Sequence, residues 1–153
     1  MSGKIRVIPI TRDNYSLFKA LVHWRLTGTR KKPADLPAPT KEELEFAGYD
    51  GFWVWAAAVD GILVGWITCA LIPKPDRRRG TIYIDELWVA SAYRRKGIAR
   101  ALMEEAISKA RQLNMWMVRL YAGKTNDAAG HYMNRWGFLK VGKNPCFGRG
   151  SRE

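Results

Sequence analysis

A strand, a basic turn and a long helix follow one another without a spacer in residues 81–113, TIYIDELWVASAYRRKGIARALMEEAISKARQL. TIYIDELWV is rich in β-branched and aromatic residues, as a strand should be, yet it carries two adjacent carboxylates, Asp85 and Glu86. From Ile98 onward, apolar residues recur at Ala101, Leu102, Ala106, Ala110 and Leu113, and Glu105 and Lys109 are spaced for an i,i+4 pair on the wet side. Residues 115–122, MWMVRLYA, read as a further strand. A strand joined to the next by one crossover helix should lie parallel to it, which predicts residues 81–89 and 115–122 side by side.

The junction between strand and helix has the chemistry of an anion site. A helix N-terminus presents unpaired N–H groups and the positive end of the helix dipole. Gly97 lets an anion approach the backbone and the small Ala99 keeps the space open, with Ile98 between them. Arg94, Arg95, Lys96 and Arg100 add charge around the same point, so a pyrophosphate is the natural occupant. The plainer alternative is a solvated basic loop that caps an ordinary helix.

With 153 residues, of which 47% are apolar, the chain reads as one globular domain over 1–153 with enough length for a proper core. No apolar run approaches a membrane span; residues 56–72 come closest, and Asp60-Gly61 breaks them as a hairpin turn. The first residues lack a signal-peptide pattern, and Cys69 and Cys146 show no metal spacing, so a reducing cytoplasm and no metal are expected. Net charge is +12, from 26 basic and 14 acidic residues. It predicts attraction to polyanions, and Arg30 to Lys32, Arg77 to Arg79 and the Arg149/Arg152 tail lie away from the 94–100 turn, leaving an acidic protein or nucleic-acid partner open.

Along the chain, residues 4–10 alternate as a first strand, with Pro9 suggesting an edge. Thr11 or Asp13 should cap a helix reaching Leu26 and ended by Gly28, followed by a basic, Pro-rich loop to Pro39. Thr40-Lys41-Glu42-Glu43 has capping-box spacing and opens a short helix to Gly48. Residues 52–59 and 62–72 form a hairpin, with Trp53 and Trp55 on one face of its first strand and Trp66 on the second; such residues are either core or an aromatic wall for a cation. PKPDRRRG then links to the central strand. Gly123-Lys124-Thr125 imitates an NTPase phosphate loop, but that motif needs a Gly where Val118 stands. Asn126 should instead cap a helix to about Trp136, Gly137 should end it, and FLKVG should begin a last strand, paired with residues around Phe147.

Arg94-x-x-Gly97-x-Ala99 after a strand ending at Val89, with Tyr93 in place, resembles the acetyl-CoA loop of the GNAT N-acetyltransferase superfamily. Asn126-x-x-Ala129, with Gly137-Phe138 eleven residues beyond the Asn, matches further, and the resemblance covers about residues 53–142. It implies an α/β (α+β) fold: a mixed, mostly antiparallel sheet of six to seven strands, helices on both faces, and a splayed parallel pair that binds CoA. The pantetheine arm would run along Leu87, Trp88 and Val89, the pyrophosphate would sit on residues 94–100, and Asn126 would contact the arm. The acetyl group would pass directly to an amine acceptor of unknown identity, without an acyl-enzyme; a homodimer stays open.

Such an amine must first lose a proton. With a Lys-like pKa near ~10.4, about one molecule in a thousand is neutral at pH 7, a deficit of roughly 4 kcal/mol that a nearby base offsets. Asp85 and Glu86 should point to opposite faces of their strand, and two carboxylates on a largely apolar strand are costly without a role or a partner. The resemblance implies Asp85 as the favoured base, at the position where related small-amine acetyltransferases more often place a catalytic carboxylate, with Glu86 the second candidate. The family commonly places a Tyr acid seven residues after the Asn; here Met133 stands there, with Tyr132 one residue earlier. A CoA-binding protein with little chemistry, or a basic nucleic-acid-binding module, are the competing readings.

Overall fold

The computed structural model describes residues 3–120 throughout and the backbone of residues 138–140. Its elements are β1 (Ile5–Pro9), α1 (Tyr15–Thr27), α2 (Lys41–Glu45), β2 (Phe52–Val59), β3 (Ile62–Ile72), β4 (Thr81–Val89), α3 (Ile98–Gln112), β5 (Met117–Leu120) and β6 (Phe138–Lys140). The strands form one sheet in the order β1-β2-β3-β4-β5-β6. Every neighbouring pair is antiparallel except β4 and β5, which run parallel from Thr81↔Met117 to Ile84↔Leu120 through the α3 crossover.

Each face of the sheet carries a helix. α3 buries Ile98, Leu102, Met103, Ala106, Ile107 and Ala110 against Trp55, Ile67, Cys69, Ile82, Ile84, Leu87 and Val89. On the opposite face α1 sets Phe18 and Leu21 against Val54, Ala56 and Trp66. At about 25 cal/mol per Å² of apolar surface removed from water, these two layers are the main favourable term for the sheet. Cys69 lies in the α3 layer, fully buried, and burial pushes its thiol well above the ordinary range.

Local signals explain most of the boundaries. Asp60 (φ 50°) and Gly61 (φ 79°) make the tight β2–β3 turn. Gly28 (φ 74°) closes α1 by donating its N–H to the Trp24 carbonyl at 2.8 Å. Thr40 and Glu43 form the reciprocal capping box of α2, and the Lys19 ammonium and the Thr40 N–H hold the Glu43 carboxyl below the usual carboxylate range.

Three details differ from the sequence expectation. Neither Thr11 nor Asp13 caps α1. Asn14 stands at that position, and its side chain is spent on the preceding turn, accepting from the Thr11 N–H at 2.7 Å and donating to the Pro9 carbonyl at 2.8 Å. Lys109 does not pair with Glu105: its ammonium lies over the Trp53 ring, 5.4 Å from the centroid, and the i,i+4 ion pair of α3 is Arg100–Glu104 at 3.0 Å. Leu113 does not continue the buried stripe; it caps α3 and stays 39% exposed.

The third strand junction matters most for the site. The β3–β4 ladder pairs Thr68 with Glu86 and Cys69 with Ile84, so Asp85 is one residue in excess, a β-bulge. In an unbroken strand Leu87 and Val89 would share the face of Asp85. The bulge shifts the phase, so that Leu87 and Val89 join Ile82 and Ile84 under α3, while Glu86 and Trp88 turn toward α1. Simple alternation of Asp85 and Glu86 between opposite faces therefore does not describe this strand.

Candidate active site

The turn after β4 is built for exposed backbone amides. Residues 91–93 form a short 3-10 turn, after which Arg95 (φ 59°) and Gly97 (φ 83°) both take the left-handed conformation. Gly97 is the N-cap of the fifteen-residue α3 and brings no side chain to its amides. A Cβ at Gly97 would meet only the tip of Ile5, at 3.9 Å, so the space before the helix is open. Ile98, 2% exposed, anchors the first turn in the core, and Ala99 packs half-buried beside it.

The cations around this turn differ in their commitments. Arg94 folds back, its Nε donating to the Val89 carbonyl at 3.0 Å. Arg100 pairs with Glu104. Lys96 extends over the Tyr93 ring at 5.5 Å, and Arg95 is exposed. An open N-terminus, two left-handed residues and an apolar anchor behind them fit a pyrophosphate, so the residues present suit acetyl-CoA as a substrate.

One strand away stand the carboxylates. Asp85, at the bulge, is exposed and has no hydrogen bond or ion pair among the described residues. Glu86 is tied on every side. Its N–H donates to the Thr68 hydroxyl at 2.9 Å, its Oε2 accepts from the buried Trp66 Nε1 at 3.0 Å, and its Oε1 accepts from Arg25 Nη1 at 3.2 Å. The Arg25 guanidinium also covers the Trp66 ring, 5.1 Å from the centroid. Trp88 packs on Trp66 at 5.0 Å, and Trp24 stands edge-on to both Trp88 and Tyr93. Trp66 is thus core and wall at once, while Trp53 and Trp55 stack on each other on the α3 side.

The Thr68 hydroxyl has a specific task here: it takes an amide that the bulge removes from the ladder. Thr68→Val keeps the shape and strands that N–H, so it should cost about 1–3 kcal/mol. A lower urea midpoint with an unchanged slope checks this, and Thr68→Ser should restore most of the loss.

Sequence reasoning located the turn and both carboxylates and marked Trp66 as core or aromatic wall, but missed Arg25 and Thr68 and the meeting of all three with Glu86, which depends on packing across the sheet. Asn126, Tyr132 and Met133, the helix expected over 126–136 and the strand partner around Phe147 lie outside the described residues.

The model of the acetyltransferase (GNAT) family matches residues 18–138. The chain belongs to the GNAT acetyltransferase family. No curated protein sequence is a significant match to it. Among solved structures, this acetyltransferase is similar to an aminoglycoside acetyltransferase from an uncultured soil metagenomic sample at 24% identity and TM-score 0.65, over 81% of this chain and 83% of that one. A second metagenomic aminoglycoside acetyltransferase, in complex with trehalose, matches at 18% identity and TM-score 0.67, over 84% of each chain. The ribosomal-protein-alanine N-acetyltransferase of Brucella melitensis biovar Abortus 2308 matches at 21% identity and TM-score 0.65, over 84% and 87%. At these identities the three likenesses speak for the shared fold.

Proposed function

We propose that this acetyltransferase moves an acetyl group from acetyl-CoA directly to a primary amine of a small molecule or protein, with Asp85 as the base. The observation that carries the reading is the bulge: it sets a carboxylate unpartnered among the described residues on the strand that leads through Leu87–Val89 to the open turn at Gly97. On this reading the whole chain, 1–153, works as one domain.

Acetyl-CoA supplies an activated thioester. The amides at the start of α3, with Arg95 and Lys96 beside them, hold the pyrophosphate, and the segment Leu87, Trp88, Val89 runs beside the pantetheine arm. Arg94 ties the turn to the end of β4 through the Val89 carbonyl, so strand and turn move together. Asp85 accepts the ammonium proton, leaving a neutral amine to attack. Glu86 has both oxygens engaged, one by Arg25 and one by Trp66, which leaves Asp85 as the carboxylate open to the amine. Asn126 contacts the arm.

The leaving thiolate needs little help. With a thiol pKa near ~8.5, protonation at pH 7 is downhill, so loss of the acid should cost far less than loss of the base. Tyr132→Phe should lower kcat by less than about tenfold, and Met133→Tyr should raise it or leave it unchanged. A fall of about a thousandfold in Tyr132→Phe with CoA still bound would make Tyr132 the acid.

The test of the function is thiol release from acetyl-CoA across a panel of polyamines, aminoglycosides, amino acids and peptide N-termini. Release that depends on one amine class supports the reading. Tight CoA binding with no release above hydrolysis for any amine would replace it with a non-catalytic CoA-binding role.

A further inference from the structure

A second concave surface lies apart from the turn and the carboxylates. It is a groove of about 500 Å³ between α1, the edge strand β1 and the β2–β3 turn. Its floor is apolar, with Leu17 and Trp24 of α1 accessible along it, and its rim holds Lys4 and Arg6 of β1 together with Arg30 and Lys31 of the loop after α1. The volume is that of a site for a small organic molecule rather than a macromolecule.

The side chains of Lys4, Arg6 and Lys31 make no ion pair among the described residues. Arg30 is held over the Trp24 ring, its carbon 5.5 Å from the centroid, which leaves its N–H edge for another partner. Asp60 is the one carboxylate in the lining, and it lies against Gly3 at the end of the groove. Four cations facing one anion around an apolar floor give a site complementary to a negative group attached to an apolar body. None of residues 94–100 lines it, and neither Asp85 nor Glu86 does.

We propose that this groove binds a small amphipathic carboxylate, its apolar part on Leu17 and Trp24 and its carboxylate between Arg6 and Arg30. The site is separate from acetyl transfer and does not depend on that reading. A guanidinium matches a carboxylate edge-on with two N–H donors, and the aromatic floor favours a flat or aliphatic body over a highly hydrated anion.

Calorimetric titration with 4-phenylbutyrate tests it, performed on the full chain saturated with CoA so that the α3 turn is filled. Saturable binding with Kd of about 1 mM or tighter is expected, with 4-phenylbutan-1-ol and acetate each at least about tenfold weaker. The charge-reversed pair Arg6→Glu and Arg30→Glu should weaken phenylbutyrate about tenfold or more while CoA affinity stays within about twofold. Both side chains are exposed, so the variants should fold, and an unchanged thermal midpoint checks that. No saturable binding, equal binding of the alcohol, or undiminished binding by a folded double variant overturns the proposal. Binding of polyglutamate without binding of phenylbutyrate also overturns it, in favour of a macromolecular partner.

Discussion

Asp85→Asn should lower kcat/KM for the amine about a hundredfold while leaving CoA affinity within about twofold. The change is nearly isosteric and the side chain is exposed at a bulge, so stability should hardly move. What is removed is the ability to take a proton. The magnitude sits at the lower end for loss of a general base, because bulk water can partly replace an exposed carboxylate. Glu86→Gln is the paired control. It keeps an acceptor for the Trp66 N–H but weakens the contact with Arg25, so a modest effect is expected. That ion pair is half exposed, 38% on the arginine and 42% on the glutamate, and such pairs contribute about 0–1 kcal/mol. If Glu86→Gln is the damaging change and Asp85→Asn is silent, the two roles are exchanged. If neither matters, the proton leaves by another route.

Gly97→Val should weaken CoA binding well beyond tenfold with the fold retained. Two effects act together. The left-handed φ of 83° suits glycine and strains a β-branched residue, pulling the turn away from its present shape. Any side chain placed there projects into the open space before the helix amides, where the nearest protein atom is the Ile5 tip at 3.9 Å. The protein therefore has room for the added atoms, and the clash falls on whatever occupies that space. Gly97→Ala should show a smaller loss in the same direction. Calorimetric titration of the folded valine variant that returned wild-type affinity would remove the pyrophosphate from this turn.

Much of the fold was legible because its signals are local. Asp60-Gly61 between two apolar runs placed β2 and β3 to the residue, Thr40 and Glu43 announced α2, and the apolar spacing after Ile98 announced α3. The bulge at Asp85 was not legible. One extra residue leaves no composition mark, and it becomes visible only when Thr68 and Cys69 across the ladder show which residues they face. The same holds for Lys109, which spacing assigned to Glu105 and packing delivers to Trp53, more than fifty residues away in the chain. Of the site, the turn could be read from its own residues; the clamp of Arg25, Trp66 and Thr68 on Glu86 could not, since it joins α1, β3 and β4, elements far apart in the chain.

Cys69 gives this acetyltransferase an internal clock. Its sulfur is sealed between α3 and the middle of the sheet, and its thiolate form is disfavoured there, so a thiol reagent reaches it when α3 lifts from that face. Its labelling rate then counts departures of α3 from the sheet that holds Asp85 and Glu86. Any ligand that grips β4 or the turn after it should slow that count.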